Sequence, residues 1–513
     1  MTEPPVRPSV VLPRRIASLL DRLHAAGFSA VQLVGDPAVE ITGITHDSRL
    51  VLPGDLYVAR SGENTHGIAH VSEAVASGAA AVLTDRDAAQ TAIESGVAAV
   101  LAVDEPREAM GPAAAWTYGD PAQAMTLLGV TGTNGKTTTS YLIEAGLRAA
   151  GRRTGLVGTI ETRIDGEAVP SARTTPEATE LHALLAVMKE RGVDSVVMEV
   201  SSHALALGRV DGVVFDVAGF TNLSRDHLDF HGDMAGYYAA KASLFAPSRA
   251  SRGVINVDDD WGLRLAAEAT VPSVTTGLRA DSTWRRYDET PATATSLGVV
   301  HLLGPDAGTV EIRCALLGTV NLVNVVTAFV MLVETGIEVG VARDGVASLT
   351  AVPGRLERVD VGQPYLALVD YAHTPGAVTA VLADARALAV PGGRVLVVLG
   401  CGGDRDREKR PMMGAAAATG ADLAVFTNDN PRSEDANEIL AAMQSGVPAG
   451  LRVLVEPDRA RAIDAAVGLA RPGDVLVIAG KGHEQGQEAA GVVVPFDDRV
   501  VLRDALTAHL GAA

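Results

Sequence analysis

The sequence predicts an α/β chain of two or three domains, with a P-loop-type parallel sheet in the middle and a doubly wound parallel sheet at the C-terminal end. Three observations predict it. A chain of 513 residues is longer than one ordinary domain. An apolar run, a glycine-rich turn and a helical stretch follow one another through Met125–Ala150. After Pro353-Gly354, short β-rich runs alternate with helical segments, the pattern of a parallel sheet covered on both faces.

Taken in order, residues 15 to 105 mix short strands and helices. Ser18–Ala26 reads as an amphipathic helix, and Val71–Ser77 followed by Ala80–Thr84 reads as helix then buried strand. The proline- and glycine-bearing stretch Asp104–Gln123 reads as a boundary. Met125–Thr131 is a strand, Gly132–Lys136 a loop and Thr137–Ala150 a helix. Ser195–Val200 and Val213–Thr221 are buried strands. Residues 273–315 alternate apolar and polar around turn residues, which predicts an antiparallel patch, and Val320–Val333 predicts a helix. In the last third, strands at Tyr365–Val369, Arg394–Leu399, Asp422–Thr427 and Asp474–Ile478 are separated by helices at Ala377–Leu388, Met412–Thr419, Ala436–Ser445 and Arg459–Ala470.

Composition narrows the class. The chain is 47% hydrophobic and 20% charged, enough to bury real cores, and its 4% aromatic content is a compositional bias without functional meaning. A formal net charge of −19 argues against nonspecific nucleic-acid binding and against an anionic membrane surface. Cys314 and Cys401 lie far apart and predict reduced thiols. Met1–Pro13 carries no apolar core of signal type, and no uncharged run is long enough to cross a bilayer. These readings predict a cytoplasmic protein without membrane insertion.

Gly129-Val130-Thr131-Gly132-Thr133-Asn134-Gly135-Lys136-Thr137-Thr138 is the most informative stretch. A glycine turn between strand and helix lets backbone N–H groups approach phosphate oxygens, and the helix N-terminus adds positive potential. Lys136 can neutralise β- and γ-phosphates, and the Thr137 hydroxyl can ligate Mg²⁺. Val130 stands where the common motif has glycine, so a shorter G-x-x-G-K-T remains. Glu199 ends its strand, where a carboxylate suits Mg²⁺, and Ser201-Ser202-His203 follows. Thr221–Asp229 is dense in Asn, Ser, Asp and His, residues that cap loops and also carry metal and phosphate contacts. By residue type alone, Lys241 within Tyr237–Phe245 is a solvated lysine.

Together these motifs resemble the Mur ligase family. The match runs through Thr131–Thr138, Glu199–His203, Thr221–Asp229, Lys241, Asn321 with Asn324, Pro353–Glu357 and Asp370–Pro375, in the family's order. It continues through Gly400–Asp406 and Gly480–Glu484, so nearly the whole chain is covered. Val320 and Gly376 depart from the usual phenylalanine and aspartate. The resemblance implies three domains: residues 1–122 for a UDP-sugar, 123–353 for ATP and 354–513, Rossmann-like, for an incoming amino acid. It implies a monomeric, ATP-dependent amide ligase of the kind that adds diaminopimelate to UDP-MurNAc-L-Ala-D-Glu through an acyl phosphate.

Site residues follow by carry-over. Gly132, Thr133, Asn134, Gly135, Lys136, Thr137 and Thr138 would hold the ATP phosphates, with Asn324 at adenine and Asp370 at ribose. Thr137 and Glu199 would hold one Mg²⁺, and His227 with a carbamylated Lys241 a second. Lys136 and Arg355 would stabilise the transferring phosphoryl group. Ser48 in His46-Asp47-Ser48-Arg49, with Thr174, Thr175, Ser201 and Arg209, would bind the UDP-sugar dipeptide.

Diaminopimelate contacts would come from Arg405, Asp429, Asn430, Pro431, Arg432, Gly480 and Glu484. Chemistry supports Arg432 independently. Diaminopimelate exceeds lysine by one carboxylate, and a guanidinium grips a carboxylate in two-pronged fashion. Two rivals are a folylpolyglutamate synthetase-like ligase, which lacks the first domain and the Arg432 motif, and a noncatalytic nucleotide-binding regulator, which would have lost Lys136, Glu199, His227 or Lys241.

Overall fold

The computed structural model describes residues 6–62, 65–170, 173–305 and 307–511; the first five residues of the Met1–Pro13 stretch lie outside them. Among the described residues, no helix is long and apolar enough to cross a membrane. Three large sheets and two two-stranded ones carry the described residues. The first has five strands, Gln32–Gly35, Ala99–Val103, Ala81–Asp85, Asp55–Ala59 and Gly43–Thr45, parallel except at the Gln32–Gly35 edge. Ile16–Ala25 turns Ile16, Leu19 and Leu23 inward against it, the i, i+3, i+7 stripe of an amphipathic helix.

The stretch read as a boundary, Asp104–Gln123, is mostly helix. Pro106–Thr117 opens with proline at its first turn, where the missing N–H costs nothing, and also carries Pro112 inside. Ala109, Met110, Ala113, Ala114 and Trp116 pack it onto the first core, and that burial outweighs local propensity.

The central sheet has eleven strands. Thr154–Val157, Ser195–Glu199, Thr126–Thr131, Val217–Phe220, Gly253–Asn256 and Ser273–Gly277 run parallel in that order. Register places Glu199 opposite Val130 and Phe220 opposite Thr131. Glu199 and Thr221 therefore emerge on the same carboxyl edge as the Gly132–Lys136 loop. The strand read over Val213–Thr221 is shorter, because Phe215 is held by a lone bridge to Ala250 before the strand begins. Within 273–315 only Trp284–Thr290, Gly298–Gly304 and Gly308–Cys314 are antiparallel to one another; Ser273–Gly277 belongs to the parallel part. Thr319–Glu334 is apolar nearly all round, as a helix packed on two sides must be, and buries Leu322, Val325 and Phe329 with Leu142 and Leu147 of Lys136–Ala149.

The third sheet runs Glu357–Arg358, Leu366–Asp370, Val475–Ala479, Val395–Leu399, Leu423–Phe426 and Val453–Val455, parallel after its first strand. Asp370 and Leu399 both lie opposite Ala479, and Leu399 lies opposite Phe426. The segments after Asp370, Leu399, Phe426 and Ala479 thus share one edge. Gly354 joins the central and third sheets at φ +64°, and a Cβ there would strike the backbone of Gly482 and His483.

Candidate active site

The phosphate loop is laced to the next strand end. Asn134 N donates to Asn222 Oδ1 at 3.0 Å, Asn222 Nδ2 donates to Asn134 O at 3.0 Å, and Thr221 Oγ1 donates to Asn134 O at 2.6 Å. Ser224 N donates to Thr133 Oγ1 at 3.0 Å. Gly135, in the left-handed region at φ +89°, precedes the helix, and Lys136, Thr137 and Thr138 form its first turn. These bonds fix the loop.

Glu199 is almost wholly buried. Its Oε2 accepts from Thr137 Oγ1 at 3.0 Å and from Thr159 Oγ1 at 3.0 Å, and its Oε1 accepts from Thr159 N at 2.8 Å. Arg355, from beyond the Gly354 junction, donates to Thr137 Oγ1 at 3.1 Å and stacks over Tyr371 at 4.5 Å. The structure thus brings Lys136, Thr137, Glu199 and Arg355 to one point. Thr159 completes the carboxylate's shell, and sequence reasoning missed it because Gly158-Thr159 carries no motif.

Lys241 is not solvated. It is 1% exposed, lies 4.7 Å over the Tyr237 ring and donates to Gly132 O at 2.7 Å. Burial, then the charge of Lys136, drives its ammonium well below the ordinary range. Burial also lowers Lys136, which donates to Gly132 O and Thr133 O. His227 is left-handed at φ +53°, faces Asp226 at 3.3 Å and meets His203 edge-on at 4.7 Å. Burial lowers His227 to about 4, which keeps its ring neutral.

A hard cation fits this donor set. Among the described residues no three His, Cys, Asp or Glu side chains stand together as a self-sufficient metal cage. Thr137 and Glu199 offer oxygens 3.0 Å apart at the phosphate loop, the arrangement Mg²⁺ uses when one or two protein oxygens are completed by phosphate and water.

Asn324 is buried, bonds Asn321 Oδ1 through its own Nδ2 at 3.0 Å, and lies behind Gly135. Both Asp370 oxygens accept backbone N–H groups, of Leu356 and Ala372, each at 2.8 Å; burial raises this carboxyl. Thr174 meets Thr159 at 3.1 Å, Thr175 Oγ1 donates to Glu199 O at 2.8 Å, and Ser201 N donates to Thr175 Oγ1 at 3.2 Å. Arg209 joins this strip through Thr175 O at 3.4 Å. Ser48 does not: its hydroxyl donates to Glu73 at 2.7 Å, and His46 instead reaches across to Thr179 at 2.8 Å.

At the third sheet's edge, Asn430 Nδ2 donates to Glu484 Oε2 at 2.8 Å, and the fully buried Lys481 donates to Asn430 Oδ1 and Glu484 Oε2, each at 3.0 Å. Lys481 is 3.8 Å from Asp429, and Gly480 closes against the Asp429 carboxylate. Lys481 escaped sequence reasoning because a lysine between glycines reads as exposed. Pro431 precedes Arg432, which is left-handed at φ +53°, donates to Gly403 O at 2.7 Å and faces Glu488 at 3.5 Å. Arg405 is apart from this group: it is exposed and donates to its neighbour's carbonyl, Asp404 O. Cys401 is buried against Met413, and burial pushes its thiol up to about 12, away from the thiolate that a nucleophile needs.

Three family models match in succession: Mur ligase family, catalytic domain, over residues 40–117; Mur ligase middle domain over 130–332; and Mur ligase, glutamate ligase domain, over 354–482. The chain belongs to the Mur ligase family. A Streptomyces avermitilis Mur ligase, UDP-N-acetylmuramoyl-L-alanyl-D-glutamate–2,6-diaminopimelate ligase, is 53% identical over 99% of both chains. A solved structure of a ligase of that name is 31% identical, with a TM-score of 0.66, and covers 97% of this chain and 100% of its own. A Mycobacterium tuberculosis folylpolyglutamate synthase complexed with ADP and AMPPCP shares the Mur ligase fold at 23% identity and a TM-score of 0.59, over 73% of this chain and 92% of its own.

Proposed function

We propose that this Mur ligase joins diaminopimelate to UDP-N-acetylmuramoyl-L-alanyl-D-glutamate at the expense of ATP. The observation that carries this reading is identity of 53% along the whole chain with a relative of that name. Arg432, held by Gly403 and Glu488, follows Asn430 at the same sheet edge where Asn430, Glu484 and Lys481 bond one another, and this supports the reading. Residues 1–122 bind the UDP-sugar, 123–353 bind ATP, and 354–513 bind the amino acid. The enzyme is a cytoplasmic monomer.

In the first step a D-glutamyl γ-carboxylate oxygen bonds to the γ-phosphorus, the bridging P–O bond breaks, and ADP leaves. In the second, the diaminopimelate amine attacks the acyl carbon, loses a proton, and the C–O bond to phosphate breaks. Lys136 and Arg355 neutralise the anions that must meet in the first step. Thr137 and Glu199 would hold Mg²⁺, and His227 with carbamylated Lys241 would hold a second ion; such ions would supply charge screening at the phosphates. Asn324 contacts adenine and Asp370 the ribose. Thr174, Thr175, Ser201 and Arg209 orient the acceptor dipeptide, and Arg432 holds the distal carboxylate of diaminopimelate while Glu484 holds its ammonium.

The test is ADP release in the presence of UDP-MurNAc-L-Ala-D-Glu, with meso- and LL-diaminopimelate and lysine as separate amine substrates. Turnover with a diaminopimelate isomer and not with lysine is expected. Turnover with lysine alone would reverse the assignment.

A further inference from the structure

Three arginines converge on one carboxylate where the first sheet's layer meets the central one. Arg60 follows the Asp55–Ala59 strand, Arg107 lies on the Pro106–Thr117 helix, and Arg209 follows the Ser202–Ala206 helix. All three surround Glu177, which caps Ala178–Glu190. Arg209 Nε is 2.9 Å from Glu177 Oε1, and Arg60 Nη2 and Arg107 Nη1 are each 3.8 Å from Glu177 Oε2. Glu177 is 3% exposed, so one buried carboxylate faces three guanidinium groups and two positive charges are left over.

The hydrogen bonding is equally incomplete. Arg60 Nε, Arg107 Nη1 and Glu177 Oε2 are buried and have no hydrogen-bond partner. Leaving buried charged donors unpaired is costly, so each such group calls for an explanation, an arriving anion among them. Burial, with the charges of Arg107 and Arg209, pulls Arg60 below its ordinary range, as a site short of anions requires.

The cluster is also close to the chemistry. Arg209 Nη1 donates to Thr175 O, and Thr175 Oγ1 donates to the carbonyl of Glu199, whose carboxylate pairs with Thr137 at the phosphate loop. The acceptor end of the UDP-sugar dipeptide must reach this side. We propose that Arg60, Arg107 and Arg209 form a subsite for the α-carboxylate of the D-glutamyl residue, and that gripping this carboxylate leaves the γ-carboxylate to be phosphorylated. Glutamate offers two chemically similar carboxylates, and holding one converts the choice into a matter of reach. The subsite deepens the function proposed above and rests on it.

Diphosphate in the same substrate presents similar anionic oxygens, so the test compares ligands. Calorimetry without ATP uses UDP-MurNAc-L-Ala-D-Glu, UDP-MurNAc-L-Ala, which lacks the glutamate, and UDP. Arg60→Met and Arg107→Met should each weaken the dipeptide ligand roughly 10- to 150-fold, the loss of one charge-assisted hydrogen bond, and leave the two shorter ligands unchanged. Equal weakening of all three would assign the cluster to the diphosphate and overturn the carboxylate subsite. No weakening of any would overturn the subsite altogether. Wild-type protein that binds none of the UDP ligands would refute the functional reading itself. Should a single variant unfold, Arg107→Met combined with Glu177→Gln removes a charge from each side; it should melt like wild type and still bind the dipeptide ligand weakly.

Discussion

Lys136 and Lys241 donate to the same oxygen, the carbonyl of Gly132, at 2.9 and 2.7 Å. Two lysine nitrogens thus share one acceptor in the phosphate loop; burial lowers both, and the charge of Lys136 lowers Lys241 further. In the function proposed above, phosphate oxygens would offer Lys136 a better partner, and a carbamylated Lys241 would keep an N–H to donate to Gly132 O.

Lys136→Ala should therefore remove ligation and spare the fold. Gly132 O keeps Lys241 as its donor, and the loss is confined to the Lys136 bond to Thr133 O. The expected result is ADP release reduced at least ~1,000-fold, on the order of 4 kcal/mol of lost phosphoryl stabilisation, with a melting temperature within a few degrees of wild type. Near-normal turnover would refute the phosphate-loop role.

Burial of Lys241 favours its neutral amine over the ammonium, and the amine is the form that adds CO₂. Lys241 is expected to be carbamylated, which turns a cation unsuited to a metal-rich site into an oxygen donor. Lys241→Ala should be almost inactive, with partial recovery in added formate or acetate. Crystals with ATP and Mg²⁺ that show a bare amine beside fully bound metal would contradict this.

Arg432 owes its aim to a strained backbone at φ +53° and to bonds with Gly403 and Glu488. Arg432→Ala should raise the Michaelis constant for diaminopimelate by roughly 30- to 5,000-fold, the usual range for losing one member of a partly buried charge pair, and barely change that for ATP. Lysine activity need not appear, since rejecting one ligand and accepting another are separate tasks. Unchanged diaminopimelate kinetics would sink the assignment.

His182 sets an acid limit on stability. Its Nε2 donates to Asp211 O at 3.0 Å, its Nδ1 has no partner, and burial lowers it to about 4. The unfolded chain, with a histidine near 6.5, binds the proton more readily, so stability is full above about pH 6.5 and falls as pH drops toward 4. The loss amounts to about 3 kcal/mol. His182→Gln can keep the bond to Asp211 and should flatten the decline in melting temperature between pH 6.5 and 4. An unchanged slope would place the acid sensitivity elsewhere.

Much of this architecture was legible in the sequence because its elements are short, apolar and bounded by glycine. The Thr126–Thr131 strand, the loop and the following helix lie within a residue or so of their predicted limits. Asp104–Gln123 was misread because Pro106 and Pro112 look like breaks, while burial of Met110 and Trp116 decides the outcome. The site divides similarly. Glu199 was visible from its strand end, but Thr159, Lys481 and the arginines around Glu177 become neighbours only when distant segments meet, and no spacing in the chain announces them. Arg405 and Ser48 carry the expected identities, yet one faces solvent and the other Glu73.

The crossing of Gly354 over Gly482 places a limit on how this chain can vary. Each residue is left-handed, at φ +64° and +54°, and a methyl group on either would strike the other's backbone. Elsewhere in a protein an enlarged side chain can be accommodated by shrinking its neighbour. Here both neighbours are already as small as residues can be, so a change at one has no second-site remedy at the other. The same crossing ties the junction that delivers Arg355 to the loop that carries Lys481 and Glu484. An alanine at Gly354 would accordingly be felt by nucleotide and amino acid together, as a loss of both and not as a shift of preference between substrates.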